Sequence, residues 1–394
     1  MEEDDLSTQF IDELGESTYR YFQIDILKVA MIFLVIFDHT FPWALKNTMG
    51  VSLWERISIP VFLVIMGFNM GKSFKQSGET SLRKLYSWNY FKKKFWRYIF
   101  PFFILYLIST ITGLIMYNFD LEAMWYGQHY NIVYGYWRWD VAHLLIGILP
   151  FYGPGNWFLP VVFWSILIMP LLYKGFSGKL KWSILSLCLC YIVELGITSL
   201  FRFIVPLHVS SQAEWQFYYR FTVTSLPFMI SAVGLGLWFS RDHDLFSKKN
   251  YFMWILFPLS LTYIIAYQFI DFSFGFEFPD YNFLVFPYSA FLVLLALRIL
   301  PKKVNYNNIF IKGIKLISKS TYHILLTQIL YFGIVIAVYG DHYGASIVGI
   351  DFGYDPLTVF LYLLINWAIC IPIGTLWYYG ENRIRNLRRL RKNL

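Results

Sequence analysis

The sequence contains few charged residues for its length. Only 15% of its 394 residues are Asp, Glu, Lys or Arg, whereas 57% are hydrophobic and 21% are aromatic. A water-soluble domain of this length could not hide so much apolar surface, so the composition excludes an ordinary soluble globular protein. It predicts an all-α, polytopic membrane protein.

Cysteine is scarce as well. Cys188, Cys190 and Cys370 all lie in apolar runs, so we predict neither a disulfide framework nor a thiolate metal site. The formal net charge is +8, but Lys and Arg are spread over short loops and form no single basic face. We therefore expect these charges to report membrane orientation, and we expect no nucleic-acid partner.

Long apolar runs predict about ten transmembrane helices. A helix needs roughly 20 mostly apolar residues to cross a bilayer. Such runs lie at about 22–43, 53–72, 97–117, 156–174, 182–201, 220–240, 252–272, 282–300, 321–340 and 356–378. An eleventh run, at about 142–151, is too short to cross and predicts a half helix that ends at Pro150 and the turn Gly153-Pro154-Gly155.

The positions of Lys and Arg predict the orientation of these spans. Both residue types cluster after the second, fourth, sixth, eighth and tenth spans, whereas the alternate connections are poor in them. By the positive-inside rule, both termini are predicted to be cytoplasmic. The chain then divides into an acidic cytoplasmic segment at 1–20, a transmembrane domain at 21–380 and a basic cytoplasmic tail at 381–394.

The first span carries Asp25, Lys28, Asp38 and His39 within an apolar run. Ionisable residues inside a span are costly and are candidates for function. Lys28 and His39 are eleven residues apart, roughly 16 Å along a helix and close to three turns, which places them on one face. That distance is about the length of a pantetheine arm. The structural alternative makes Lys28 a snorkelling cation and His39 a polar cap at the outer interface.

Five motifs, in order, resemble those of the acyltransferase 3 family of membrane O-acyltransferases. The first is Asp25-Ile26-Leu27-Lys28 followed after ten residues by His39. The others are Ile59–Phe68, the basic segment Tyr90–Pro101, Asn156-Trp157-Phe158-Leu159, and Ser318–Tyr322. The sequence departs from the family pattern at several positions: Lys28 and Lys94 replace Arg, Met66 replaces Ser, Val161 and Val162 occupy a stretch where some members have Glu, and Gln328 replaces a frequent His.

The resemblance implies transfer of an acyl group, expected to be acetyl, from cytoplasmic acyl-CoA to a hydroxyl of an outward-facing glycan or lipid-linked saccharide in the cell membrane. Lys28, Lys94 and Arg97 would neutralise the phosphates of the donor. His39 would act as the general base, and Asp38 would orient its imidazole, although adjacent helical positions point about 100° apart. No permanently bound cofactor or metal is expected, and membrane lipids are expected partners.

Four further polar or aromatic residues are candidates. Glu194 is predicted to act near His39, with a structural pairing to Arg202 or Arg220 as the alternative. Arg220, His143 and Trp157 are predicted to contact the acceptor, although Arg220 could equally anchor a helix end. His323 is expected at the cytoplasmic membrane interface.

A transporter or flippase is the competing interpretation. In that case Lys28, His39 and Glu194 would form a proton or substrate relay without covalent chemistry. A membrane sensor or scaffold that has lost the family activity is a third alternative. No inverted repeat is visible in the sequence, and labelled acetyl transfer separates the enzyme from both alternatives.

Overall fold

The structure is a computed structural model that describes residues 9–11, 17–19, 21–126, 144–145, 147–200, 229–274, 280–302, 304–305, 307–339 and 355–393. The regular secondary structure in this part of the chain is helical except for one short antiparallel strand pair. Strand β1 (Gln9–Ile11) pairs with β2 (Ser17–Tyr19), with Phe10 opposite Thr18. The sequence analysis did not predict this pair.

The helices follow one another along the chain. They are α1 (Phe22–Thr40), α2 (Trp43–Thr48), α3 (Ser58–Ser77), α4 (Leu82–Leu85), α5 (Trp88–Lys94), α6 (Phe100–Met116), α7 (Leu121–Tyr126), α8 (Phe158–Phe176), α9 (Leu180–Ser199), α10 (Ile230–Phe239), α11 (Met253–Ile270), α12 (Phe286–Ile299), α13 (Ile309–Tyr339) and α14 (Pro356–Asn393). A π-helical turn, Phe95–Ile99, joins α5 to α6.

A helix overlaps each of the ten predicted spans, although residues 220–228 of the sixth span lie outside the described residues. Among the described residues, seven helical segments are long and apolar enough to cross a membrane: Val51–Ser77, Leu82–Met116, Phe158–Phe176, Leu180–Ser199, Lys248–Ile270, Ile309–Val338 and Pro356–Leu387. Helices α10 and α12 are apolar but shorter, and α1 carries Asp25, Lys28 and Asp38. The multi-pass helical architecture is confirmed, whereas the count of ten spans and the side of each terminus stay predictions.

The predicted half helix at 142–151 lies partly outside the described residues. Its described end, 147–153, is turn and irregular backbone, and a turn follows at 154–157. Gly147 and Gly155 have positive φ values of 90° and 94°, which glycine adopts readily because it has no Cβ.

The chain forms two compact units, each built from three separate segments. The first unit comprises Met1–Leu27, Asn47–Arg97 and Trp157–Asn305, and the second comprises Lys28–Lys46, Tyr98–Asn156 and Tyr306–Leu394.

Helix α10 lies in the core of the first unit, and all ten of its residues are buried. It crosses α3 at short range because glycines line the contact. A Cβ added to Gly67 would overlap the carbonyl oxygen of Val233, and one added to Gly236 would overlap that of Val64. Small residues allow helix backbones to approach closely in membrane proteins, so these two glycines set the separation of α3 and α10.

In the second unit, α13 and α14 pack together and hold the C-terminal half of α1. A Cβ added to Gly374 would overlap the backbone of Ile324. The amide of Asn366 on α14 donates to Thr40 Oγ1 at 2.9 Å and accepts from the hydroxyl of Tyr331 at 2.8 Å. These bonds fix the end of α1 where His39 lies.

Helix α14 continues through the predicted basic tail to Asn393. Within this continuation Glu381 is buried, pairs with Arg385, and lies 3.0 Å from His323 Nε2. The expected position of His323 at the cytoplasmic membrane interface stays a prediction, and its side chain is only 6% exposed because it is enclosed between α13 and α14. The partner of His323 is the carboxylate of Glu381, which lies 58 positions farther along the chain. The local sequence around His323 could not indicate this pair.

Candidate active site around His39

His39 is the penultimate residue of α1, in the second unit. Its side chain is 14% exposed, so protein encloses most of the imidazole. The ring of Phe332 on α13 lies 6.0 Å from it, edge to face. Because Thr40 is bonded to Asn366, the helix end that carries His39 is fixed against α14. This enclosure gives the residue the setting that catalysis inside a bundle requires.

Asp38 lies beside the imidazole and is held by a lysine. Its Oδ2 is 3.6 Å from His39 Nδ1, which is an ion-pair distance and too long for a good hydrogen bond. Lys46 Nζ lies 2.5 Å from Asp38 Oδ1 and donates to the Asp38 carbonyl oxygen at 2.8 Å. Sequence reasoning missed Lys46. The available signal was a lone lysine in a connection that is otherwise poor in positive charge.

The turn at Gly153-Pro154-Gly155 lies directly against α13. The Gly153 N–H donates to the Ile329 carbonyl oxygen at 2.8 Å, and a Cβ at Gly153 would overlap the backbone N of Gly333. This pair of glycines therefore allows the turn to contact the helix backbone. The contact brings Gly155 to the Nε2 side of His39: a Cβ added to Gly155 would lie 3.5 Å from His39 Nε2.

Gln328 on α13 faces the same glycine. The Cβ position of Gly155 lies 2.9 Å from Gln328 Nε2. The side chain of Gln328 is fully buried, and neither of its amide atoms has a hydrogen-bond partner among the described residues. The side chains of His39 and Gln328 therefore both pack close to Gly155, where a larger residue would meet them.

Comparison with protein families identifies the chain. The acyltransferase domain family Acyl_transf_3 matches residues 21–387, which is nearly the whole sequence. The chain belongs to the acyltransferase 3 family. It is therefore a membrane acyltransferase that transfers groups other than aminoacyl groups, and it needs an acyl donor and an acceptor. No curated protein and no solved structure matches the chain.

The three cations predicted to bind the donor of this acyltransferase lie in different settings. Lys28 is partly buried on α1 in the second unit. Lys94 is in the first unit, with Nζ 2.8 Å from Met70 Sδ and 5.5 Å from the ring centroid of Tyr90. Arg97 is exposed within the π-helical turn, a kind of irregularity that is frequent at functional sites. Their roles stay predictions.

Glu194 of the acyltransferase caps a helix in the first unit. Its side chain is buried, and Oε2 accepts hydrogen bonds from the backbone N of Ser231 at 3.0 Å and from its hydroxyl at 2.6 Å. Ser231 is in the first turn of α10, where the helix dipole favours a negative charge. The arginines weighed as partners, Arg202 and Arg220, lie outside the described residues. The geometry therefore assigns Glu194 a capping interaction, and its catalytic role stays a prediction.

Trp157 is the one predicted acceptor-binding residue that the structure describes, since Arg220 and His143 lie outside the described residues. It precedes α8 in the first unit, and its ring lies 5.6 Å from that of Tyr281. Tyr281 accepts a 3.4 Å hydrogen bond from Arg56, which also pairs with Asp280 at 3.8 Å. The two rings are tilted by 44° to each other, and the sequence did not single out Arg56 or Asp280.

Proposed function

We propose that this acyltransferase moves an acetyl group from cytoplasmic acyl-CoA to a hydroxyl of an outward-facing glycan or lipid-linked saccharide in the cell membrane, with both termini of the chain in the cytoplasm. The observation that carries this proposal is the enclosed His39, with Asp38 on its Nδ1 side and Gly155 on its Nε2 side. A carboxylate beside Nδ1 favours a proton on that nitrogen, which leaves the lone pair of Nε2 for proton abstraction.

His39 Nε2 takes the proton of the acceptor hydroxyl as its oxygen attacks the thioester carbonyl carbon. When the tetrahedral intermediate collapses, the thiolate of coenzyme A leaves and receives the proton from the imidazolium. Asp38 stabilises the imidazolium, and Lys46 holds the Asp38 carboxylate in place through Oδ1. Lys46 and Asp38 thus hold the imidazole in position, and only His39 exchanges a proton with the substrates.

On the donor side, Lys28, Lys94 and Arg97 are proposed to neutralise the phosphates of acyl-CoA. Lysine supplies a point charge without the bidentate fork of arginine, so Lys28 and Lys94 would add attraction and little orientation. Lys28 and His39 are roughly 16 Å apart along α1, which is about the length of a pantetheine arm. A phosphate of coenzyme A would therefore lie at Lys28 while the thioester lies at His39.

The test uses inverted membrane vesicles, which expose the cytoplasmic face to added radiolabelled acetyl-CoA. We expect label to reach a glycan fraction in the wild type and to fall about 10²–10⁴-fold in His39→Ala, because a general base contributes about that much to the rate. His243→Ala is the matched control, since it removes a histidine from a loop of the first unit. Equal labelling in wild type and His39→Ala would remove the proposed base.

The same assay tests the transporter alternative. Movement of the saccharide across the vesicle membrane without acylation would favour a relay through Lys28, His39 and Glu194. The capping contact between Glu194 and Ser231 gives that relay no support, because the carboxylate is already engaged by a helix end.

A further inference from the structure

Two of the five motifs that resemble the family meet at one hydrogen bond in the second unit. Tyr322, the last residue of the motif Ser318–Tyr322, lies on α13, and its hydroxyl donates to the carbonyl oxygen of Tyr98 at 3.0 Å. Tyr98 belongs to the basic motif Tyr90–Pro101 and, like Tyr322, to the second unit. The two residues are 224 positions apart, so neither motif alone could reveal the contact.

The carbonyl that accepts this bond lies in an irregular stretch of helix. Tyr98 follows Arg97 directly within the π-helical turn Phe95–Ile99, and such turns are rare but frequent at functional sites. In a regular α-helix the Arg97 carbonyl would accept a bond from the N–H four residues later, but Pro101 has no N–H. The backbone beside Arg97 therefore lacks one regular helical bond, and the Tyr322 hydroxyl supplies an anchor from another helix.

Tyr322 approaches the turn from a well-packed part of the second unit. The rings of Tyr98 and Tyr322 pack edge to face, with centroids 5.2 Å apart. The imidazole of His323 lies edge to face with the Tyr322 ring at 6.1 Å, and its Nε2 is 3.0 Å from the carboxylate of Glu381 on α14. Arg97, in contrast, is exposed. A rigid anchor is thus bonded to the residue next to an accessible guanidinium.

We propose that Tyr322 is a positioning residue for donor binding, because its bond to the Tyr98 carbonyl fixes the turn that presents Arg97 to a phosphate of acyl-CoA. This inference rests on the proposed function, in which Arg97 neutralises donor phosphates. A guanidinium binds phosphate through two parallel hydrogen bonds that need a defined orientation, so a mobile turn would weaken the contact. Tyr322 does not contact the donor and acts on it only through Arg97.

The test is a double-mutant cycle of Tyr322→Phe and Arg97→Gln in inverted vesicles with varied radiolabelled acetyl-CoA. Tyr322→Phe removes the hydroxyl and keeps the ring. We expect it to raise the KM for acetyl-CoA about threefold to tenfold, as loss of one hydrogen bond does, and to leave the maximal rate within about twofold. Arg97→Gln should raise the KM at least about tenfold, because a charged hydrogen-bond donor is lost.

The double variant decides whether Tyr322 acts through Arg97. In the Arg97→Gln background, Tyr322→Phe should not raise the KM further, because no guanidinium remains to be positioned. Multiplication of the two single effects in the double variant would show that Tyr322 acts independently of Arg97 and would overturn the proposal. An unchanged KM in either single variant would overturn it as well.

Tyr288→Phe is the matched control for loss of a tyrosine hydroxyl. The Tyr288 hydroxyl on α12 of the first unit also donates to a distant backbone carbonyl, that of Leu53, at 2.9 Å. Its partner is next to no residue proposed to bind the donor. Both tyrosine variants should lower the melting temperature of the purified full-length protein to a similar extent, whereas only Tyr322→Phe should raise the KM. Equal increases in KM would assign Tyr322 a merely structural role.

Equilibrium binding separates failure of this inference from failure of the proposed function. Radiolabelled acetyl-CoA is bound to purified full-length wild type and Tyr322→Phe, and the dissociation constant should rise about threefold to tenfold in the variant. If both proteins bind acetyl-CoA equally well, only the positioning role is refuted. If the wild type neither binds acetyl-CoA nor transfers its acetyl group, the proposed function fails and the positioning role fails with it.

Discussion

One buried polar side chain in each unit has a different setting, Glu194 in the first and Gln328 in the second. In the first unit, the Glu194 carboxylate accepts two hydrogen bonds from Ser231 and completes the N-terminus of α10. In the second unit, the Gln328 amide is also buried, has no hydrogen-bond partner among the described residues, and packs against Gly155 as His39 does. Glu194 therefore supports the fold of its unit, whereas Gln328 packs against the same glycine as the candidate catalytic His39.

Glycines show the same contrast. Gly67 and Gly236 allow two helix backbones to touch and leave no space for another atom. Gly155 instead allows two side chains, those of Gln328 and His39, to pack close to the backbone of a turn. The first pair is required for helix packing and the second position for the placement of His39, so substitutions should separate loss of fold from loss of activity.

The largest effect is expected at the α3–α10 crossing. Gly67→Leu should prevent stable folding, because its side chain would overlap the backbone of α10. The matched control is Gly196→Leu on α9 of the same unit, where a Cβ meets no atom within 4 Å. The yield of monodisperse protein in detergent measures the difference. Equal yields of the two variants would contradict the close approach of α3 and α10.

Asp38→Asn should lower the transfer rate about 10²-fold at a largely retained folded fraction. It removes the charge beside His39 Nδ1 and leaves the buried Lys46 ammonium without its carboxylate. Lys46→Met should have a smaller effect, about tenfold, since Asp38 keeps its charge but loses its fixed position. Labelled acetyl transfer per folded molecule checks both values. A larger loss in Lys46→Met than in Asp38→Asn would mean that the lysine, not the carboxylate, serves the imidazole.

Glu194→Ala should reduce stability by about 1–2 kcal/mol, as loss of a helix cap does. The transfer rate per folded molecule should stay within about threefold of the wild type. Thermal unfolding and the vesicle assay measure the two quantities separately. A rate loss of 10²-fold at unchanged stability would instead restore the sequence-based prediction that Glu194 is catalytic, and would remove the contrast between the two units.

The smallest effect concerns His243, in the loop that follows α10. Burial and the neighbouring Lys72 lower the pKa of His243 to about 4, below the ordinary value near 6.5. Between these two values the unfolded chain binds a proton that the folded chain does not, so stability falls as the pH decreases from about 6.5 to 4. The melting temperature of His243→Gln should therefore decrease less between pH 7 and pH 5 than that of the wild type. An identical decrease in both proteins would show that His243 does not contribute.

The sequence alone predicted the helical architecture, but it predicted the candidate active site only in part. Apolar runs of bilayer length predicted the multi-pass helical architecture because hydrophobic length is a local property. The strand pair β1–β2 has too few residues to produce such a signal. The motif around His39 also identified the residue that the structure encloses, together with its neighbour Asp38.

The remaining site depends on contacts between distant segments. Gln328 was noticed only as a departure from the family pattern, because its position opposite Gly155 depends on how the turn packs on α13. Lys46 reaches Asp38 only after the chain reverses at the end of α1. Likewise, the buried partner of His323 is Glu381, far along the chain. These relations follow from packing, which residue spacing does not encode.

The central claim is that His39 performs the chemistry of acyl transfer. The most direct measurement is the alkali-labile label that inverted vesicles incorporate from radiolabelled acetyl-CoA, expressed per folded protein molecule, in wild type and His39→Ala. We predict that the variant incorporates at most about 1% of the wild-type label, in keeping with the loss of a general base. Incorporation at the wild-type level would contradict the account.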